Sequence, residues 1–187
     1  MKKSAGIVGL GVLGSAIAQY LLEKDYEIYG YDIAPNALNE LEKFENFKTC
    51  SSPANVLSHQ QITLLCLPSA ASLEIVVKDL SKNSLPHSKQ PLLIELSTLP
   101  VDSKIAALKI AQDNNIRMVD SPVSGNRIVA LNGKLSAYLS GIRQDTEIAK
   151  PLLDTFCQKV TEVGDFGNGS KMKLIGNILN LVHNSVT

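Results

Sequence analysis

Short apolar runs bounded by turn residues alternate along this chain with longer stretches of helical period, and that alternation constrains the fold more than any single motif. "AGIVGL" is expected as a buried strand, "GSAIAQYLLEKD" as a helix, "YEIYGYD" as a strand and "NALNELEKF" as a helix starting near Pro35. The series continues with "SPANVLSH" as a short helix, "QITLLCLP" as a strand, "AASLEIVVKDL" as a helix, "PLLIELS" as a strand and "PVDSKIAALKIAQDNN" as a helix opened by Pro100. Then come "IRMVDSP" and "KLSAYLSG" as strands, "DTEIAKPLLDTFC" as a helix, "KVTEVG" as a last strand, and a terminal helix. Strand and helix in turn predict an α/β fold: a doubly wound, mostly parallel sheet with helices on both faces. At 187 residues, 44% of them hydrophobic, the chain is long enough for one sizeable core. "SKNSLPHSKQP" is its most loop-like stretch.

Charge and cysteine content narrow the partners. The formal net charge is zero and the basic residues are dispersed, so no electrostatic footprint for nucleic acid or an anionic membrane surface is present. Cys50, Cys66 and Cys157 are odd in number and far apart, which suits buried free thiols in a reducing, cytoplasmic setting. No Cys/His spacing suggests a metal. Lys2 and Lys3 followed by "SAGIVGLGVLGSAIAQYLL" have the outline of a signal peptide, but four glycines interrupt the apolar stretch. No apolar run reaches the roughly 18 residues that a membrane span needs.

Three of those glycines have a mechanical reading of their own. "GLGVLG", Gly9 to Gly14, matches G-x-G-x-x-G, follows a strand, opens a helix, and is followed by Asp32 at the end of the second strand. In that context Gly9 permits the tight turn, Gly11 lets the backbone approach a pyrophosphate, and Gly14 lets helix and strand pack closely. The helix N-terminus then offers N–H groups and partial positive charge to the phosphates, with Leu10, Val12 and Leu13 completing the loop. Asp32 can accept hydrogen bonds from the adenosine ribose, and its charge repels a 2'-phosphate, which favours NAD over NADP.

Four further motifs stand in order: "CLPS" at Cys66–Ser69, "ELSTLP" at Glu95–Pro100, "DSPVSG" at Asp120–Gly125 and "GNGSKMKLIGN" at Gly167–Asn177. With these the sequence resembles the β-hydroxyacid dehydrogenase family, which includes 3-hydroxyisobutyrate dehydrogenase, tartronate semialdehyde reductase and the glyoxylate/succinic semialdehyde reductases. The resemblance runs from the first strand to the last residue. It implies a Rossmann-type NAD-binding domain over residues 1–166 and the start of an interdomain helix over 167–187. It further implies hydride transfer between NAD(H) and a small 3-hydroxy acid or its semialdehyde, a carboxylate-bearing substrate.

By the same resemblance Leu67, Pro68 and Thr98 line the nicotinamide half of the cofactor site. Ser124, Gly125 and Asn126 meet the substrate, the first two presenting a hydroxyl and backbone N–H groups to its carboxylate. Lys173, the seventh residue of a G-x-G-x-x-x-K pattern counted from Gly167, is the catalytic lysine, and Lys171 is a surface residue. Lys173 and Asn177 are spaced i, i+4, so both project from one helix face. A lysine of lowered pKa can exchange a proton with the reacting oxygen; Asn177 would hold the substrate and fix the lysine.

The departures pull in two directions. After "SG" the chain has Asn126, Arg127, Ile128 and Val129, closer to the glyoxylate/succinic semialdehyde reductase branch. That branch commonly prefers NADP, with a basic residue after the second strand, where this chain has "YDIAPN". Arg127 is a candidate for pairing with a second anionic group or a rim arginine without a ligand. The chain ends within its last helix, leaving Ile175, Ile178, Leu179 and Val182 without an evident cover. Family members continue that helix into an all-helical second domain, so the chain is expected to be a fragment of a longer enzyme, or a short form that packs on another copy, with homo-oligomerisation through the missing second domain or that helix. Two alternatives stand beside the dehydrogenase. A non-catalytic dinucleotide-binding module would have no need of Ser124, Lys173 and Asn177 together. An imine-reducing relative would carry another group at Lys173.

Overall fold

A computed structural model of the chain describes residues 3–80 and 90–186. The loop-like stretch expected over 81–91 lies almost wholly outside the described residues. Six strands, β1 (Ser4–Val8), β2 (Glu27–Tyr31), β3 (Phe47–Thr49), β4 (Ile62–Leu65), β5 (Leu92–Glu95) and β6 (Arg117–Asp120), form one sheet in the order β3-β2-β1-β4-β5-β6. Every neighbouring pair is parallel. From β1 the chain builds outward through β2 to β3, then returns to place β4 on the other side of β1. That reversal opens a crevice between the carboxyl ends of β1 and β4.

Helices cover both faces, as the alternation requires. On one side pack α1 (Val12–Glu23) and α6 (Arg143–Phe156), burying Ile17, Leu21, Leu153 and Phe156 against Ile7, Leu64 and Ile94. On the other pack α2 (Pro53–His59), α3 (Ala70–Leu80) and α4 (Val101–Asp113), burying Val56, Leu73, Val77 and Ala111 against Val8, Leu65 and Leu93. Adjacent strand residues such as Ile7 and Val8 thus face opposite cores. Strands buried on both sides read as continuous apolar runs, which is why "AGIVGL" and "LLIE" show no alternation. "SAGIVGLGVLGSAIAQYLL" is accordingly core, with Ala5, Ile7 and Ile17 fully buried.

The expected helix "NALNELEKF" does not form. A single 3₁₀ turn spans Pro35–Ala37, and beyond it N–H groups reach back three residues, from Leu41 to Leu38, Phe44 to Leu41 and Phe47 to Phe44. The apolar side chains fall three apart at 38, 41, 44 and 47, which matches 3.0 residues per turn rather than 3.6. The same stretch delivers β3, a three-residue edge strand that periodicity could not show.

The second half also departs from one continuous sheet. The strands after β6 make a separate three-stranded sheet of β7 (Val123–Ser124), β8 (Leu135–Leu139) and β9 (Cys157–Glu162). β7 runs antiparallel and β9 parallel to β8. The Asp120–Ser140 bridge ties the two sheets together. A short helix, α5 (Arg127–Leu131), absent from the sequence reading, follows β7. The last helix, α7 (Asn168–Val186), leaves Ile175, Ile178, Leu179 and Val182 between 51% and 64% exposed. Among the described residues no helix is long and apolar enough to cross a membrane.

Candidate functional site

The turn from β1 into α1 is built around close approach. Gly9 has φ +91°, and a Cβ there would lie 2.2 Å from the Cys66 carbonyl oxygen. A Cβ on Gly14 would lie 2.0 Å from the Gly9 carbonyl oxygen. Both glycines therefore serve the fold. Gly11 is different: no atom stands within 4 Å of where its Cβ would be. It is the N-cap of α1, and among the described residues no side chain caps that end and no acidic residue sits in the first turn. The N–H groups there face outward for an anion.

Asp32 closes the other side. Its Oδ2 accepts from the Leu10 N–H at 2.6 Å and its Oδ1 from the Ala34 N–H at 2.8 Å, which fixes the carboxylate at the end of β2. The Gly9 N–H donates to the Tyr31 carbonyl at 2.9 Å, locking the glycine turn to the same strand. A cleft of about 690 Å³ runs from this corner along the carboxyl ends of the strands, past Gly11, Val12 and Asp32 to Leu67, Pro68 and Thr98. Its size and concavity suit an organic cofactor. The Ser97 hydroxyl accepts from the Leu67 N–H at 2.8 Å and holds the two far-end loops together. Cys66 also lines the cleft; burial pushes its thiol up to about 12, so it is an inert neutral wall. Cys50, Cys66 and Cys157 are all free.

Lys173 is not among the residues that line this cleft, but it meets β7, the strand that carries the cleft-lining Val123. Its Nζ donates to Ser124 Oγ at 2.6 Å, across 49 residues of sequence. Ser124 directly follows Val123, a wall residue of the cleft. The lysine is half-buried and burial lowers its pKa from 10.5. Lys171 points outward, its Nζ 3.3 Å from the Asn168 side chain.

The sequence-derived residues thus separate into groups. Gly9, Gly11, Val12, Leu13, Gly14, Asp32, Leu67, Pro68 and Thr98 all line the cleft. Leu10 does not: its side chain is in the core and its N–H is spent on Asp32. Ser124 and Lys173 meet directly, whereas Asn177, one turn on, is exposed. Gly125 is exposed with φ +139°, and Asn126 caps α5 by accepting from the Val129 N–H at 3.0 Å. Arg127 reaches back over the start of α1, its guanidinium 3.2 Å from Ser15 Oγ. Sequence reasoning missed the α3 wall of the cleft, formed by Ser72, Ile75, Val76 and Asp79. Their i, i+3, i+4, i+7 spacing was the available signal, and the structure leaves the large apolar Ile75 68% exposed.

The strand order, the uncapped glycine turn, the fixed acid on β2 and the cleft at the switch point define a Rossmann-type dinucleotide-binding domain. The chain belongs to the family described as the NAD binding domain of 6-phosphogluconate dehydrogenase, which matches residues 4–164. It is 29% identical over 186 residues to the L-threonate dehydrogenase of Cupriavidus necator, covering 98% of this chain and 62% of that protein. It is 30% identical over 186 residues to the mitochondrial 3-hydroxyisobutyrate dehydrogenase of Rattus norvegicus, covering 95% and 53%. A putative oxidoreductase from Mycobacterium avium has the same fold at TM-score 0.88 and 25% identity, over 97% of this chain and 64% of that one. The chain therefore spans between about half and two thirds of the length of these relatives. Together they support the likeness to β-hydroxyacid dehydrogenases and NAD binding by this domain.

Proposed function

We propose that the protein is an NAD-dependent oxidoreductase of a small 3-hydroxy acid or its semialdehyde, with Lys173 as general acid/base. In this reading residues 1–166 are the dinucleotide-binding domain and 167–187 begin an interdomain helix. The observation that carries it is the 2.6 Å hydrogen bond from Lys173 to Ser124, the residue next in sequence to the cleft-lining Val123. The names of the relatives, dehydrogenases of L-threonate and 3-hydroxyisobutyrate, support the substrate class.

The residues present fit the cofactor. The space in front of Gly11 is open where a side chain would otherwise stand, and the α1 N–H groups border it. These groups would hold the pyrophosphate, Asp32 the adenosine ribose, and Leu67, Pro68 and Thr98 the nicotinamide end. Bound NAD(H) supplies or accepts the hydride. The chain's own work concerns the proton and the substrate's position. In reduction the Lys173 ammonium gives its proton to the carbonyl oxygen as that oxygen gains charge; in oxidation the neutral amine takes it back. Burial favours the neutral amine and so brings the lysine closer to acting in both directions near neutral pH. Ser124 and the backbone at Gly125 and Asn126 would hold the substrate carboxylate, and Asn177 would reach it from one turn along the same helix.

Asp32 supports NAD over NADP, because a fixed carboxylate repels a 2'-phosphate and the following "IAPN" offers no cation to receive one. The exposed apolar stripe on α7 supports assembly with further helical structure, in a homo-oligomer or a second domain. The test is nicotinamide absorbance with small semialdehydes and 3-hydroxy acids in the whole protein, each with NAD and NADP. Lys173→Ala should lose at least about a hundredfold in kcat, the lower range for one general acid/base. Asp32→Asn should weaken NAD binding and narrow its preference over NADP. Full turnover by Lys173→Ala refutes the assigned role, and a native preference for NADP refutes the reading of Asp32.

A further inference from the structure

Behind the lysine helix lies a buried charge cluster that the proposed reaction does not use. Lys104 on α4, Glu95 at the end of β5 and Asp120 at the end of β6 are all 0% exposed. The Lys104 ammonium is ion-paired with Glu95, stands 2.8 Å from Asp120 Oδ1, and donates to the Ser97 carbonyl at 2.6 Å. Glu95 Oε1 accepts from the Ser97 N–H at 3.0 Å. The cluster therefore grips the loop whose Ser97 hydroxyl and Thr98 side the cofactor cleft.

Its other end grips α7. Asp120 Oδ2 accepts from the Ser170 N–H and its Oδ1 from the Ser170 hydroxyl, both at 2.8 Å. Ser140 Oγ accepts from the Gly169 N–H at 2.9 Å and donates to Asp120 Oδ2 at 3.2 Å. Two of the helix's first free N–H groups are thus held by side chains 29 and 50 residues away, and an anion sits at its positive end. A Cβ on Gly169 would lie 2.3 Å from the Tyr138 carbonyl oxygen, so the helix start is pressed directly onto β8. Lys173 follows Ser170 by three residues, on the next turn. Ser124, which receives its hydrogen bond, follows Asp120 by four.

We propose that Asp120 is a positioning residue: backed by Lys104 and Glu95, it anchors the first turn of α7 so that Lys173 is held against Ser124 beside the cofactor cleft. This rests on the reading of Lys173 as the acid/base. The charge count supports it. Two carboxylates face one ammonium, leaving an excess negative charge that the α7 N-terminus offsets, so the anion is matched to the helix. The cluster also joins the cofactor loop at Ser97 to the lysine helix through one buried cation. Of the ionisable groups on the strands packed against α7, Arg117 is paired with Asp145 at the opposite end of β6. Asp120 and Tyr138 lie toward the helix start, and β7 carries none.

Competitive acetylation of the whole protein across pH, read by mass spectrometry at Lys173 and normalised to Lys171, tests this without relying on turnover. Native Lys173 should show a midpoint below 10.5. In Asp120→Asn and in Ser170→Ala it should rise by roughly half a unit or more as the amine swings into water, while NADH affinity changes less than about threefold. Asp120→Asn should fold, because it leaves Lys104 and Glu95 as a balanced pair; Ser170→Ala alters no charge. The sign is diagnostic, since losing a nearby carboxylate acts through space to lower an ammonium's pKa, not to raise it. A lowered native midpoint that stays put in both variants overturns the positioning role. So does a rise that comes only with equal loss of NADH binding. Loss of turnover in Lys173→Ala beside unmoved midpoints would sink the positioning and leave the acid/base reading standing.

Discussion

The glycine turn allows one substitution, Gly to Ala, to be tried at two places with opposite expected outcomes. At Gly14 the added methyl meets the Gly9 carbonyl oxygen at 2.0 Å and Cys66 Cβ at 3.2 Å. A backbone oxygen cannot rotate away, so α1 must move off the sheet. Overpacking of this kind costs about 1–3 kcal/mol, and the upper end applies here. For a chain of this size that is a fall of roughly 6–12 °C in Tm. At Gly11 the methyl meets nothing within 4 Å. Placing Ala at the N-cap costs up to about 1 kcal/mol relative to Gly. The narrower unfolded ensemble returns about 0.4–1 kcal/mol, so stability should stay near native. The methyl then stands where a pyrophosphate must approach. Losing one charge-assisted N–H bond to it, at about 1.5–3 kcal/mol, weakens the dissociation constant roughly 10- to 100-fold. Thermal unfolding and NADH fluorescence titration of both variants suffice. Gly11→Ala with native NADH affinity, or Gly14→Ala with native Tm, would refute the division of labour between these glycines.

Two further outcomes concern buried charge. Lys173→Met should stabilise the fold at neutral pH, since the native ammonium is buried at a cost. That advantage should shrink as pH rises from the lowered folded value toward 10.5, where the native lysine is neutral in both folded and unfolded states; an advantage independent of pH in denaturant titrations would contradict the burial argument. Lys104→Met should destabilise by about 3–5 kcal/mol by leaving two carboxylates in the core without their cation. Burial already raises Glu95 from 4.5 against the pull of Lys104, so in the variant a protonated carboxyl is favoured in the folded state. Its deficit should therefore shrink as pH falls through the raised folded value toward 4.5.

Much of this protein could be read without coordinates. The alternation of apolar runs and helical stretches determined a parallel sheet covered on both faces. "GLGVLG" and Asp32 marked the turn and the strand end that border the cleft, because those signals are local and each residue's conformation is set by neighbours a few positions away. The choice of Lys173 over Lys171 came from the resemblance; in the structure Lys173 is half-buried and Lys171 points out. The expected helix after Pro35 failed because a three-residue repeat of apolar positions and a 3.6-residue repeat differ little over one or two turns, and the three-apart set Leu38, Leu41 and Phe47 is the one buried in the core. β3, β7 and α5, of three, two and five residues, were too short to carry a period at all.

What only the tertiary structure decided is which distant groups meet. Glu95, Lys104, Asp120 and Ser170 come from four separate elements and Ser140 from the residue after β8, and nothing in their spacing marks them as one cluster. A buried charge is tolerable only when partners surround it, and those partners are supplied by the crossing of two sheets and a helix start. The sequence alone could say that a lysine rides on the last helix. Where that helix is anchored, and so where the lysine points, is settled by side chains up to 50 residues away.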